Sequence, residues 1–442
     1  MNELIDLQKN GAIVIQRADK GGAITKMDRI DYIQAVEEEH LNSTVRLLDN
    51  SILNVYEKVD QSRLNLQHSK IKDCVKKAVD DNIISKEVGE AMVTVEPSEG
   101  RAYAMVKTHK PIRENRKLPP TRLVISGCGS NTENISHFID YHTKHIPEKL
   151  PSFLQDTPHL LRIVEEMNEN SRQDDNAFPV TIDAEKLYPS IPQAEGIKAF
   201  REAICDKKNN VDNSIISFLI TLLQYVLTFN IFNFNSGLYQ QKWGTSIGTK
   251  CAPTYACIYM GWLEKRILET WTGRPPDCWR RYIDDIFSIW SGLESELLEF
   301  LTYLNNFSPT IKFTAAYRTK EHDVSVKWKD NKLEVSRRPL GNLRPRSVDF
   351  LDTNLWINED GKILTDLYVK DTDRITYLMP QSSHPGHVTR NIPYSLGYRL
   401  KRICSLQSDF LKRWQELKSD LRSRGYKDKV LNAAFQRLHS GT

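Results

Sequence analysis

Two aspartates, Asp284 and Asp285, stand side by side in the stretch RRYIDDIFSIW, between runs of β-branched and aromatic residues. Arg281, Tyr282 and Ile283 lead in as one strand; Ile286 to Trp290 lead out as another. The pair therefore marks the tip of a tight hairpin. Adjacent like charges repel, and partial burial raises the cost. An exposed turn tolerates them, because aspartate suits turns. A bound divalent cation removes the repulsion instead. Magnesium takes one or two carboxylates and completes its shell with water and substrate phosphates. Taken alone, the dipeptide leaves both readings open.

A second feature bears on the choice. The stretch FPVTIDAEKLYPSIP reads as a strand, Val180 to Ile182, running into Asp183, then a turn and a helix start, with Tyr188 five residues on. If this strand neighbours the hairpin in one sheet, a third carboxylate reaches the tip. Three carboxylates suit two metals roughly 3.5–4 Å apart, the arrangement of in-line phosphoryl transfer. There one ion lowers the pKa of an attacking 3′-hydroxyl and the other stabilises the leaving pyrophosphate.

At 442 residues and 40% apolar content, the chain is too long for one ordinary core and implies two or three packed units. Its net charge of +4 is unevenly spread. From Gly386 onward there are 12 Lys and Arg against 4 Asp and Glu, a local +8 that leaves −4 for the rest. A basic module on an acidic body suits a polyanionic partner whose chemistry uses carboxylate-held cations; a solvated helical face is the plainer alternative. The seven cysteines form no CxxC pair, so neither a zinc site nor a disulfide framework is indicated and a reducing compartment is expected. No signal peptide opens the sequence. The apolar run from Ser214 to Phe232 is interrupted by Ser217, Thr221, Gln224, Thr228 and Asn230. It reads as a buried core helix rather than a membrane span.

Residues 11–33 read as two short strands around a Gly-Gly turn, and residues 50–95 as helical. Tyr103 to Lys107 and Arg122 to Ser126 read as strands flanking a basic, proline-bearing connection. Residues 131–171 alternate helical pattern with turns. A glycine-bearing loop and a helix fill Tyr239 to Ile267, and Val348 to Ile357 and Gly361 to Lys370 look strand-like. Near the end, Phe410, Trp414, Leu417 and Leu421 recur at helical spacing, as do Val430, Leu431, Ala434, Phe435 and Leu438 beyond Gly425. With Leu396, Leu400 and Ile403 before them, three amphipathic helices are expected to form a small basic bundle.

In this order, TIDAEKLYPSIP, WGTSIGTKCAPTYACIYM and YIDD resemble the palm motifs of a reverse transcriptase. Together with ADKGGAITKMDRIDYI, KTHKP, RLVISGCGSNTENISHFIDYH, LPSFLQDT, VDFLDTNLWI and SSHPGHVTRNIPYSLGYRLKRICS, they resemble the Penelope-like retroelement reverse transcriptases, a family similar to telomerase in its catalytic core. The resemblance runs from about Ala18 nearly to the C-terminus. It implies an α+β right hand: N-terminal segment and fingers over 1–172, an antiparallel-sheet palm over 173–380 and a helical basic thumb over 381–442. It implies an RNA-directed DNA polymerase that adds deoxynucleoside triphosphates to a DNA 3′ end on an RNA template. Two Mg²⁺ ions, replaceable by Mn²⁺, and an RNA–DNA hybrid are implied as cofactor and partner. No membrane partner is expected.

The resemblance also assigns roles. Asp183 and Asp284 would be the principal metal ligands, Asp285 the supporting carboxylate and the Ala184 carbonyl a further ligand. Tyr188 takes the place of an aromatic gate that rejects a 2′-hydroxyl; its alternative is a core tyrosine. Lys107, Lys110 and Arg122 match the finger residues that hold the triphosphate, Arg122 best because a guanidinium grips phosphate in a bidentate way. The lysines alone read equally as solvated loop charges. Gly244, Thr245, Gly248, Ala252 and Pro253 lie where small residues let nucleotide and template approach, or where helices pack tightly. Phe350, Leu351 and Asp352 match the primer grip, and Lys312 the general acid for pyrophosphate. His384 and His387 are spaced like metal ligands but read better as a structural turn.

Family members often carry a C-terminal GIY-YIG nicking endonuclease after a Cys-rich linker. This sequence reaches Thr442 with neither, so self-sufficient target cutting is not expected. Glu185 and Lys186 also stand where small or apolar residues are common. Two rivals remain. An RNA-dependent RNA polymerase shares the palm, but Tyr188 argues against it. A catalytically inactive RNA-binding fold would gain nothing from three clustered carboxylates. A nuclear location, at the target DNA, is the expectation, without a clear targeting signal.

Overall fold

A computed structural model describes residues 10–46, 50–170, 172–370, 372–373 and 376–440. The chain packs as two compact units that alternate along the sequence. One comprises residues up to Phe153 with Glu185–Thr270 and Phe307–Lys312; the other comprises Leu154–Ala184, Trp271–Asn306 and the remainder from Phe313. The fingers, palm and thumb ranges expected from the sequence are divisions by role toward a substrate, whereas these units are divisions by packing.

The second unit is built on a six-stranded sheet. Its order is Cys278–Tyr282, Asp285–Trp290, Phe178–Glu185, Lys312–Arg318, His322–Lys329 and Lys332–Pro339. The aspartate hairpin and the Asp183 strand are thus neighbours in one sheet, the condition under which a third carboxylate reaches the tip. Helix Glu294–Phe307 is fastened to the sheet by Asn305, whose side chain accepts the Phe313 N–H at 2.8 Å and donates to the Phe313 carbonyl at 3.1 Å. A three-stranded sheet follows, Ser347–Phe350, Thr353–Ile357 and Ile363–Leu367. The VDFLDTNLWI stretch is therefore a hairpin turning at Leu351 and Asp352.

Helices Gly386–Ile403, Gln407–Ser423 and Asp428–Ser440 close the unit. Phe410, Trp414, Leu417 and Leu421 are all buried in one cluster with Leu400, Leu431 and Leu438. Helical spacing put those side chains on one stripe, and the stripe is what packs.

In the first unit a five-stranded sheet runs Tyr56–Val59, Gly237–Gln241, Ile231–Phe234, Gly100–Val106, Thr121–Ser126. Three details differ from the sequence reading. Residues 29–36 form a helix, Arg29–Val36, not the end of a strand. Tyr32 and Val36, four apart, both enter the core, and the Tyr32 hydroxyl accepts the Ala104 N–H at 2.7 Å. Within 50–95, Ile52–Asn54 and Tyr56–Val59 are strands, because the second finds a partner at the sheet edge in Gly237–Gln241. The Ser214–Phe232 run divides into helix Ile216–Thr228 and strand Ile231–Phe234, where Phe232 and Phe234 alternate with Asn233. Among the described residues no helix is long and apolar enough to cross a membrane.

A polar clamp holds the strand that carries Arg122. Glu39 accepts from both the N–H and the hydroxyl of Thr121, at 2.7 and 2.8 Å, and His40 Nε2 lies 2.8 Å from that hydroxyl. Burial, against a smaller upward pull from Glu39, takes the His40 imidazole down to about 4. The folded state thus prefers neutral His40, and protonation favours the unfolded chain. This stability is whole above about pH 6.5, the unfolded histidine value, and is lost as pH falls toward about 4. The thermal midpoint of the wild type is expected to drop across that window, measured by circular dichroism. His40→Gln, which keeps a polar partner for Thr121 but takes up no proton, is expected to show a shallower drop.

Candidate active site

Alternation along the strand Phe178–Glu185 buries Val180, Ile182 and Ala184 on one face and leaves Thr181 and Asp183 half-buried on the other. The neighbouring strand Asp285–Trp290 runs antiparallel, and its register sets Asp285 directly opposite Asp183. Directly opposed residues in an antiparallel pair project from the same face. Asp284 occupies the turn before that strand, and its carbonyl accepts the Ala184 N–H at 3.1 Å. The three carboxylate-bearing residues expected from the sequence therefore come from adjacent backbone positions. Asp285 stands opposite Asp183, and Asp284 flanks them.

The turn is held in an unusual shape. Ile283 has φ +57°, the left-handed region that costs a β-branched residue roughly 1–2 kcal/mol. Arg281, 2% exposed, donates from Nη1 to the Ile283 carbonyl at 3.0 Å. The Arg281 carbonyl in turn accepts the Leu154 N–H at 2.9 Å. In sequence Arg281 has no distinct role: it is one of two adjacent cations, Arg280 and Arg281, in a strand otherwise of Cys, Trp and Tyr, and only the fold shows that it is the buried one.

The donor set is wholly hard oxygen, which suits a hard divalent cation. Among the described residues no group of three or more His, Cys, Asp or Glu side chains is placed to hold a metal ion. Magnesium needs only one or two carboxylates and draws the rest of its shell from water and substrate phosphates.

The Phe350 side chain is buried and meets Phe287 of the aspartate strand, with ring centroids 5.7 Å apart. Phe287 shares a strand face with Asp285, two residues away. Leu351, with φ +53°, makes the turn of this hairpin. Asp352 there accepts from Thr157 and from Arg399 of the first bundle helix, the Arg399 Nε bond being 3.1 Å. Arg399 was not foreseen, because nothing in sequence links positions so far apart. His384 bonds to Ser382 through Nδ1 at 2.5 Å, and His387 is exposed. His384 lies in the turn before that helix, and His387 is already in its first turn.

The first unit gathers other candidates through its backbone. Arg122 lies on the strand Thr121–Ser126, and its side chain is 45% exposed. Lys107 and Lys110 sit in the connection before it, the Lys110 N–H donating to the Lys107 carbonyl at 2.8 Å. Burial, and then the Arg122 charge, press the Lys107 ammonium below its usual range, while Asp19 and Glu39 pull it back up. Tyr188, half-buried, lies on the short helix Leu187–Ser190. Its carbonyl accepts the Thr245 N–H at 2.9 Å. Two residues on, Ile247 accepts the Ile125 N–H at 2.9 Å. The glycine-bearing loop thus bridges the Tyr188 turn to the Arg122 strand.

Gly248 shows why small residues are needed there. Its φ is +122°, and a Cβ would lie 2.3 Å from the Ile125 carbonyl oxygen. Gly244, with φ +70°, meets Pro189 as closely, at 2.6 Å. Tight backbone packing is thus seen directly for both. Ala252 is buried and Pro253 exposed at the start of helix Ala252–Thr270. The Lys312 ammonium donates to the Ser308 carbonyl at 2.8 Å, and burial lowers its pKa.

With this geometry in place, comparison with known proteins defines the class. Residues 121–320 match the family described as Reverse transcriptase (RNA-dependent DNA polymerase). The chain is an RNA-directed DNA polymerase, a nucleotidyltransferase. Residues 376–436, covering most of the three-helix bundle, match the Animal helix-turn-helix domain.

More particularly, the fold is similar to telomerase. The structure of telomerase from Candida albicans in complex with a TWJ fragment of telomeric RNA superposes with a TM-score of 0.58 at 7% identity, over 99% of this chain and 68% of that one. Apo telomerase from Candida tropicalis gives 0.49 at 6% identity, over 96% of this chain and 68% of that one. The Sicinivirus 3Dpol RNA-dependent RNA polymerase gives 0.41 at 11% identity, over 89% and 73%. This chain thus spans about two thirds of the telomerase chains. No curated protein sequence matches it.

Gly248→Ala is expected to separate the loop from the Arg122 strand and to cost about 2 kcal/mol or more, since both φ and contact distance exclude a Cβ. Hydrogen exchange at the Ile125 amide reads this directly: protection there should fall well before that of the bundle amides.

Proposed function

We propose that this chain is the reverse transcriptase of a Penelope-like retroelement, extending a DNA 3′ end on an RNA template. The observation that carries the reading is the register that sets Asp285 across from Asp183 with Asp284 in the adjoining turn. Asp183, Asp284 and Asp285, with the Ala184 carbonyl, would hold two divalent ions, Mg²⁺ by their oxygen chemistry. When bound, such ions supply charge stabilisation to the attacking and leaving oxygens of a phosphoryl transfer.

The chain's own groups do the rest. Arg122, Lys107 and Lys110 bind the triphosphate by charge, Arg122 through its planar fork. Tyr188 stacks beneath the sugar and excludes a 2′-hydroxyl. The loop at Gly248, Ala252 and Pro253 seats the nucleotide. The hairpin turn of Phe350, Leu351 and Asp352 positions the primer end. Lys312, already below its usual pKa, is the proton donor toward pyrophosphate. The basic bundle follows the backbone of an RNA–DNA hybrid by charge and A-form shape. That RNA is the template is supported by the family match and by the RNA-bound telomerase of similar fold. The target DNA gives this enzyme a nuclear place of work.

Extension of a DNA primer on an RNA template, with and without Mg²⁺, tests the reading. Asp183→Asn and Asp285→Asn are each expected to lower the rate by about a hundredfold or more. Tyr188→Ala is expected to admit ribonucleotides. Wild-type incorporation of ribonucleotides as fast as deoxynucleotides would indicate the RNA-polymerase alternative, and no product from any form an inactive binding fold.

A further inference from the structure

The stretch ADKGG carries part of the family resemblance and has no task in the site described above. In the structure it is the turn of the hairpin Ile13–Arg17 and Ile24–Asp28. Gly21 and Gly22 take φ +72° and +64°, and the Ala18 N–H donates to the Ala23 carbonyl at 2.7 Å. This tight turn delivers Asp19 to the central sheet, where its N–H donates to the Val106 carbonyl at 2.9 Å. The Asp19 side chain is only 1% exposed, and its Oδ1 lies 3.2 Å from Arg122 Nε. Among the described residues neither carboxylate oxygen accepts a hydrogen bond.

A buried carboxylate without hydrogen-bond donors is costly. It persists where surrounding positive charge offsets the loss of water. Here that charge is the cation group of the fingers. Arg122 is its direct partner, and the field of Asp19 acts on both Lys107 and His109. Lys20 and Lys110 press on His109 as well. Four like charges close together would otherwise splay toward solvent. The contact recorded between Asp19 and Arg122 is an ion pair through Nε, without a hydrogen bond. A guanidinium drawn by charge from its Nε side presents its two terminal nitrogens, the pair that grips phosphate in parallel, to another anion.

We propose that Asp19 is a positioning residue for nucleotide binding: from its buried seat it fixes the Arg122 guanidinium so that the terminal nitrogens meet the incoming triphosphate already aimed. This rests on the reading of Arg122 as a triphosphate ligand. Asp19 touches no substrate, and its effect passes through Arg122. A preorganised ligand loses less side-chain freedom on binding, so the loss of Asp19 should weaken nucleotide binding and spare the chemical step.

Steady-state primer extension on Asp19→Asn, Arg122→Ala and the double variant tests this, with thermal midpoints recorded for each. Asp19→Asn is expected to raise the deoxynucleotide KM about tenfold with kcat within about twofold. The double variant should match Arg122→Ala within about twofold, because Asp19 has nothing left to position. Asp19→Glu, which restores the charge, should recover most of the KM.

An unchanged KM in Asp19→Asn, with Arg122→Ala raised, overturns the proposal and leaves the triphosphate reading intact; so does additivity in the double variant. A fall in kcat and thermal midpoint at constant KM shows a structural role and overturns it too. An unchanged KM in Arg122→Ala overturns the triphosphate reading, and this proposal with it. If Asp19→Asn does not fold, Asp19→Ser, which removes the charge with a smaller side chain, takes its place: a raised KM with kcat kept supports the proposal and a wild-type KM overturns it.

Discussion

The pairing of Phe178–Glu185 with Asp285–Trp290 forces two carboxylates into direct opposition. Their repulsion opposes that pairing, yet apolar contacts decide it. Val180 and Ile182 on one strand and Ile286, Phe287 and Ile289 on the other are essentially excluded from water. A slip of one residue would move Val180, Ile182 and Ala184 onto the half-buried face that carries Thr181 and Asp183. The register is therefore set by the core, and the aspartates are carried to their places by it. The same core makes room for a left-handed Ile283, with a buried arginine holding the carbonyl that the turn exposes. Stability of the sheet and strain in the turn are parts of one construction.

A similar economy governs the first unit. Tyr188, Thr245, Gly248 and Arg122 are distant in sequence, and backbone hydrogen bonds rather than side chains bring their segments together. Glycine at 244 and 248 is required by contact with Pro189 and Ile125, whatever ligand the loop meets. Packing and substrate access thus ask for the same residue type at the same place. Glu39 and His40 hold the Arg122 strand further, at Thr121.

The charge of the C-terminal bundle is less free than its count suggests. Arg399 is paired with Asp352 of the hairpin, and Arg413 with Asp366, a 5% exposed carboxylate that its charge keeps below the usual range against the upward push of burial. Two of the twelve basic residues after Gly386 therefore fasten the bundle to its sheet. What remains for a polyanion is the exposed set. Mixed use of this kind is expected of arginine, which can serve a buried ion pair and a phosphate with the same planar group.

Much of this was legible in the chain itself. Local pattern named the aspartate hairpin, the Asp183 strand, the glycine loop and the three bundle helices, because each depends on neighbours within a few residues and on alternation or helical spacing. Where pattern failed, a distant partner had intervened: the sheet edge that made Tyr56–Val59 a strand, and the core contacts that wound Arg29–Val36 into a helix. Tertiary structure alone decided that Asp285 rather than Asp284 faces Asp183, that Arg281 holds the turn, and that Asp19 lies against Arg122. Those facts depend on register and on side chains meeting across long separations, and composition and periodicity carry no information about which of many compatible surfaces will touch.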